Sequence, residues 1–229
     1  MTTLSDNIYI LYINLEIRND RNIHVLNELK KVKNKIVNKI TGVYLTDINQ
    51  DDYKKYYENR LSKECGFIDD DNNLFKKGII GCYISHIKCI EYIINNYSNI
   101  KNDYVVVIED DIIINTNKLQ EEIENNLNLI PDDWDLVRID TWDNTRKNDM
   151  INDNIYKVSL PSFENNKYFY HGAHMIIYNK HKINKILKEV RRPKHGICDF
   201  DGLLCKSSLN QYVINKKLTL INNNCGSNT

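Results

Sequence analysis

Tyr104-Val105-Val106-Val107-Ile108-Glu109-Asp110-Asp111 decides the fold. Its first five residues are apolar or aromatic without interruption and β-branched through the middle, which suits a strand buried on both faces. Such strands belong to parallel sheets covered by helices on either side. The run then stops at three consecutive carboxylates. Ionising three neighbouring acids is costly unless positive charge lies among them. Alternation along an extended chain places Glu109 and Asp111 on one side and Asp110 on the other. Oxygen donors on one side suit a hard divalent ion, Mn2+ or Mg2+, which would also bridge the phosphates of an anionic ligand. The plain alternative is a solvated acidic turn.

Outward from this strand, apolar runs of strand length alternate with helical periodicity. Ile8 to Leu15 (IYILYINL) is a second doubly buried strand. From Asp20, the residues Ile23, Leu26, Leu29, Val32 and Ile36 recur at steps of three and four, with Lys30, Lys31, Lys33 and Lys35 between them. That predicts an amphipathic helix with a solvated basic face. Gly42 to Thr46 (GVYLT) is expected to be a short strand closing a β-α-β unit. Residues 50 to 77 are polar and predict a loop-rich insertion, whereas Gly78 opens GIIGCYISHIKCIEYIINNY, a central and largely buried helix.

Further along, Asn115 to Leu129 predicts a helix capped by Thr116 or Asn117, and Pro131 ends it. Asp135 to Asp140 (DLVRID) is expected to be a strand that again finishes in an acid. Residues 141 to 167 carry little apolar pattern and are expected to form a mobile loop. Tyr168 to Tyr178 returns to strand character, Lys180 to Val190 to helix, and Asp201 to Leu209 to a short helix, with a frayed tail from Asn222. The alternation predicts an α/β sandwich, a mainly parallel central sheet flanked by helices, as a single domain over residues 1–229. In such sheets ligands bind beyond the carboxyl ends of the strands. Both acid-terminated strands, at Glu109 to Asp111 and at Asp140, point to that edge.

Composition excludes several classes. The chain has 31 Lys and Arg against 31 Asp and Glu, a formal net charge of zero. A nucleic-acid binder working by counterion release carries a basic excess, so no nucleic-acid partner is expected. The longest apolar stretches fall short of a bilayer span, and the first is preceded by Asp6 and Asn7 with no small-residue cleavage site after it. The expectation is no transmembrane segment, no signal peptide and a cytoplasmic location. The abundance of Ile, Asn, Lys and Tyr suggests an AT-rich genome; if that genome is viral, a viral factory is the setting. Cysteines at 65, 82, 89, 198, 205 and 225 show no zinc-finger spacing and read as scattered free thiols. No Walker-type loop and no G-x-G-x-x-G fingerprint occurs.

Several blocks then fall in a recognisable order. Ile13-Asn14-Leu15-Glu16-Ile17-Arg18-Asn19-Asp20-Arg21 resembles I-N-L-x-x-R-x-D-R, and Gly78-Ile79-Ile80-Gly81-Cys82-Tyr83-Ile84-Ser85-His86 resembles G-x-x-G-C-x-x-S-H. Val107 to Asp111 resembles L-E-D-D, and Pro131-Asp132-Asp133-Trp134-Asp135-Leu136-Val137 resembles P-x-x-W-D-L-V. These are blocks of glycosyltransferase family 25, which includes lipopolysaccharide glycosyltransferases and procollagen galactosyltransferases. The last third matches less closely: Gly172 to Ile177 is similar to G-x-x-x-Y-x-I-S apart from Met175 and Tyr178, and Asp201-Gly202-Leu203-Leu204 to a late D-x-x-L.

The resemblance implies a GT-A type fold and a metal-dependent, inverting transfer of a hexose from a UDP-sugar donor to a hydroxyl of a glycan or protein-linked acceptor. It implies that Glu109 and Asp111 hold the metal, Mn2+ or Mg2+, with His174 or His195 completing its shell. Asn14, Arg18, Arg21, Ser85, His86, Asp110 and Gly172 would face the donor. Asp201 is the first choice for the base that takes the acceptor's proton, with Asp199 and Asp140 behind it. Structural alternatives stand beside these roles. Arg18 and Arg21 could pair with Asp20 and cap the following helix, Ser85 and His86 could pack that helix on the sheet, and the late histidines could be ordinary core or surface residues. The rival functions are a sugar-nucleotide-binding scaffold without turnover and a metal-dependent phosphotransferase or nuclease.

Overall fold

The computed structural model describes residues 7–44, 74–141, 145–160, 162–164, 167–191 and 200–225. An eight-stranded sheet runs through its centre. In chain order its strands are β1 (Ile8–Asn14), β2 (Lys35–Thr41), β3 (Tyr104–Glu109), β5 (Leu136–Ile139), β6 (Met150–Asn152), β7 (Ile155–Lys157), β10 (Met175–Asn179) and β11 (Gln211–Ile214). Their spatial order is β2-β1-β3-β10-β5-β11-β7-β6. Two small pairs stand apart, β4 (Ile112–Ile114) with β12 (Thr219–Ile221) and β8 (Phe163–Glu164) with β9 (Lys167–Tyr168).

The direction of each strand follows from the pairings. β1 is parallel to β2 and β3, β10 is antiparallel to both β3 and β5, and β5 is parallel to β11. β7 runs against β11, and β6 against β7. Every strand except β10 and β7 therefore points the same way, and the sheet is mainly parallel in direction.

The doubly apolar strands are covered on both faces, as their composition requires. On one face Val105 and Val107 pack with α2 (Leu74–Asn95), α4 (Ile183–Arg191) and α5 (Phe200–Lys206) through Ile84, Ile87, Ile186 and Leu203. On the other, Val106 and Ile108 pack with α1 (Asn19–Leu29) and α3 (Leu119–Leu127) through Val25, Leu29, Leu119 and Ile123. This is the expected sandwich, and the continuous apolar run of β3 is explained by having a helix layer on either side. Among the described residues no helix is long and apolar enough to cross a membrane. Cys82, Cys89 and Cys205 are free thiols, while Cys65 and Cys198 lie outside the described residues.

Several expectations need correction. The first helix stops at Leu29 instead of continuing to Ile36, and Asn34, at a left-handed φ of 46°, turns the chain into β2. The strand after that helix is therefore Lys35–Thr41, not Gly42 to Thr46; Gly42, Val43 and Tyr44 follow it as irregular chain, and residues 45–73 lie outside the described residues. β2 pairs only with β1, so half its surface is wet, and Ile36 is exposed. This partial exposure gave it a period resembling a helix face. Residues 141 to 167 are not one loop: they contribute β6 to β9, with β6 and β7 extending the sheet. The helix expected from Asn115 begins at Leu119, and Thr116 Oγ1 accepts from the Lys118 amide in the turn before it. Strand character from Tyr168 resolves into β9 and then β10 from Met175, with Tyr170 and Gly172 at positive φ between them.

Candidate active site

β1 and β3 are adjacent and parallel, so Asn14 and Glu109 finish side by side at the carboxyl edge of the sheet. Behind them stands α2, and beside them Gly42 to Tyr44 leave β2. Between these elements lies a cavity of about 220 Å3, lined by Asn14, Arg21, Val43, Gly81, Cys82 and the Glu109–Asp111 run among others.

The cavity wall depends on two residues of the Gly78–His86 block. A Cβ at Gly81 would fall 2.5 Å from the Val43 carbonyl oxygen, so only glycine lets the chain leaving β2 lie against the helix. One turn later Ser85 Oγ accepts from the Val43 amide at 2.9 Å and donates to the Gly81 carbonyl at 2.6 Å. Ser85 faces the cavity, but its hydroxyl is engaged in holding the backbone of Val43 and Gly81. Gly78 has nothing within 4 Å of its notional Cβ and borders the open side of the cavity.

The acids do not alternate as an extended strand would place them. β3 ends at Glu109, and Asp110 and Asp111 form a turn that directs both carboxylates to one guanidinium. Arg21 Nη1 donates to Asp110 Oδ1 at 3.0 Å and to Asp111 Oδ2 at 3.2 Å. Asn14 Nδ2 donates to Asp110 Oδ2 at 2.7 Å and to the Arg18 carbonyl at 3.1 Å. Arg21, with only 6% of its side chain exposed, is thus the positive charge the triplet required. Arg18 instead forms an ion pair with exposed Asp20 at 2.8 Å and is not among the residues lining the cavity.

Among the described residues two buried acceptors in this cavity keep no hydrogen-bond partner, Asp111 Oδ1 and Asn14 Oδ1. Burial and then the Glu109 charge push the Asp111 carboxyl up to about 7, with Arg21 opposing them. Glu109 goes the other way. Burial alone would raise it, but hydrogen bonds from His86 and Cys82 and electrostatic interaction with His86 and His174 hold it below the usual carboxylate range.

His86 sits behind Glu109. Its ring is fully buried, stacks on Phe200 with centroids 4.3 Å apart, and brings Nε2 to 3.2 Å from Glu109 Oε1. It therefore contacts an acid of the cavity rather than the cavity itself.

A second cavity, about 630 Å3, opens at the ends of β5 and β11 beside Asp140, His174 and Thr219. Asp140 is fully occupied there. Its Oδ1 accepts from the amides of Lys216 and Lys217, and its Oδ2 from the amide and hydroxyl of Thr219. His174 Nε2 lies 3.3 Å from Thr219 Oγ1, and its carbonyl accepts from the Glu109 amide at 3.0 Å. Burial lowers the His174 pKa, against the pull of Glu109 and Asp140. Gly172, at φ 133°, is the turn that leads into it.

Asp201 begins α5 next to Phe200, with Oδ2 3.7 Å from His171 Nδ1. Asp199 and His195 lie outside the described residues. The structure thus gathers Asn14, Arg21, Ser85, Glu109, Asp110 and Asp111 into one cavity, sets His86 just behind it, and places His174 at the neighbouring one. Cys82 and the Gly42–Tyr44 segment also line the cavity, a place not expected of them from the sequence. Cys82 could have been found from its place four residues before His86, which puts the two on one helix face.

A model of glycosyltransferase family 25, described as LPS biosynthesis protein, matches residues 6–198. No curated protein sequence matches. Among solved structures, apo-form GlyE from Streptococcus pneumoniae TIGR4 is 9% identical, with 87% of this chain and 42% of that chain covered and a TM-score of 0.44. TarS 1-349 from S. aureus is 10% identical, with 93% and 59% covered and a TM-score of 0.44; its complex with UDP-GlcNAc gives 10%, 93%, 57% and 0.43. The chain thus spans about half the length of these proteins, and likenesses this distant carry no weight for function. The family match covers most of the chain, through the strands and helices that build the first cavity, and the mainly parallel, helix-flanked sheet is the GT-A type architecture expected of it: the chain belongs to glycosyltransferase family 25.

Proposed function

We propose that the protein is a metal-dependent glycosyltransferase that moves a hexose from a UDP-sugar to a hydroxyl of a glycan or protein-linked acceptor, with inversion at the sugar carbon. One observation carries this reading: the cavity at the ends of β1 and β3 holds three acids, one buried cation and two buried acceptors without partners. Asp111 Oδ1 is a carboxylate oxygen that, among the described residues, neither hydrogen bond nor salt bridge satisfies. A hard divalent ion fits that requirement. Asp111 and Glu109 would hold Mn2+ or Mg2+, and Asp110, fixed by Arg21 and Asn14, supports them. When bound, the ion neutralises charge developing on the diphosphate leaving group.

The chain's own residues do the rest. Arg21 offsets two of the three acids, so a dianionic diphosphate can approach once the ion is present. Asn14 Oδ1 offers an acceptor to a ribose hydroxyl or a base N–H. Asp201, with His171 beside it, is the base that takes the acceptor proton, and Asp199 remains its rival.

Calorimetry with a panel of UDP-hexoses tests the donor: heat is expected with Mn2+ present and not with chelator. No heat with any UDP-hexose in Mn2+ overturns the reading. Asp111→Asn should abolish metal-dependent UDP release. Asp201→Asn should abolish transfer while leaving UDP binding intact; full activity in that variant removes Asp201 as the base.

A further inference from the structure

Glu109 meets a second kind of partner on its other side. Cys82 and His86 are one turn apart on α2, and both side chains point at the same carboxylate oxygen. Cys82 Sγ lies 3.5 Å and His86 Nε2 3.2 Å from Glu109 Oε1. The sulfur, nitrogen and oxygen all fall within 4.8 Å of one another. We propose that Cys82, His86 and Glu109 form a zinc-selective site at the floor of the cavity, which shares Glu109 with the hard-ion position at Asp111 but draws on a softer set of donors.

The donor set is the first argument. Thiolate, imidazole and carboxylate together suit a borderline ion such as Zn2+, while Mg2+ and Mn2+ prefer oxygen alone. Geometry is the second. A tetrahedron with bonds of about 2.0 to 2.3 Å has edges of roughly 3.3 to 3.7 Å, close to the two separations from Glu109 Oε1, 3.5 and 3.2 Å, while the sulfur and the imidazole nitrogen lie within 4.8 Å of each other. The ligands therefore need little rearrangement. Pre-organisation is the third argument. The stacked Phe200 ring fixes the plane of His86, and Glu109 is anchored at the end of a central strand. Three protein ligands leave a fourth position, and Cys82 and Glu109 both border the cavity, so that position opens toward the ligand space.

Binding displaces the thiol proton of Cys82 to solvent and the Nε2 proton that His86 shares with Glu109, which moves to Nδ1 or to solvent, so zinc affinity rises with pH. It also occupies Glu109 Oε1. Zinc would then compete with any use of Glu109 by a harder ion, and tie α2 to the end of β3. The site stands whether or not the chain transfers sugar.

The test is cobalt titration of the metal-free protein without sugar nucleotide. One equivalent should give a near-ultraviolet thiolate-to-cobalt charge-transfer band that Zn2+ bleaches and Mg2+ does not. Cys82→Ser, checked for native circular dichroism, should lose the band, and Glu109→Gln should weaken Zn2+ binding while keeping the thiol. A folded native protein without the band overturns the proposal, as does a band that persists in Cys82→Ser. Because no donor is present, these outcomes are independent of UDP-sugar binding in Mn2+, and failure of either reading leaves the other in place.

Discussion

Two strands of the sheet end in acids at the same edge, and the surroundings of those acids are opposite. At Asp140 every hydrogen bond comes from a short stretch of chain: three backbone amides and one hydroxyl from Lys216 to Thr219 close around the carboxylate. Asp140 itself adopts a left-handed φ of 51°, which lets the turn fold over it. At Asp110 and Asp111 the partners are side chains from distant elements, Arg21 and Asn14, and one oxygen is left over. The first arrangement is a satisfied corner that fastens β5 to the chain after β11. The second leaves one buried carboxylate oxygen without a partner among the described residues, the one that the proposed cation would satisfy. A carboxylate at a strand end is therefore not a site by position; its unsatisfied valence makes it one.

The largest break in this contrast should come from Arg21→Ala. It leaves two buried acids without their cation, and breaking a buried pair costs about 3 to 5 kcal/mol, a fall of roughly 6 to 20 °C in Tm for a chain of this size. Thermal denaturation should show the loss, and Mn2+ should restore more Tm to this variant than it adds to the native protein. If Mn2+ restores nothing, the acids around Arg21 are not a cation site.

Asp140→Ala should cost somewhat less, about 2 to 3 kcal/mol, from lost amide partners and an alanine forced into left-handed backbone. Its decisive feature is what stays the same. Divalent-ion affinity, followed by calorimetry, should not change; if it falls with the stability, the two corners are one electrostatic unit and the contrast fails.

A pair of glycines gives the finest resolution. Gly81→Ala should lose about 1 to 3 kcal/mol by overpacking against the Val43 carbonyl. Gly78→Ala, three residues earlier with open space around it, should gain about 0.5 to 1 kcal/mol from helix propensity. Chemical denaturation of both variants measures the difference, and a loss at both positions would mean that Gly81 is not specially constrained.

How far the sequence carried differs between fold and site. β3 and β1 were legible because burial on both faces demands an unbroken apolar run, and α2 because its apolar residues are too many for a wet helix. β2 was not, since an edge strand with Lys35, Lys39 and exposed Ile36 has no clean period. The short strands between Met150 and Tyr168 hide for a related reason: two or three residues hold no pattern. In the site, the acids announced themselves by their local density. Their partners did not. Arg21 is 89 residues from Asp110, and nothing in the intervening chain states that the guanidinium would settle on Asp110 and Asp111 and not on Asp20. The saturation of Asp140 likewise depends on a turn more than 75 residues downstream.

β10 is inserted between β3 and β5 in the direction opposite to both. Strands such as β1 and β3 deliver residues to the carboxyl edge as they leave the sheet, whereas β10 delivers His171 to His174 as it arrives. The stretch ahead of it can accordingly gain or lose residues without shifting any parallel strand or the Arg21 cluster. Variation in length there would remodel the second cavity beside His174 while the corner held by Arg21 stays as it is, so the two cavities can change independently.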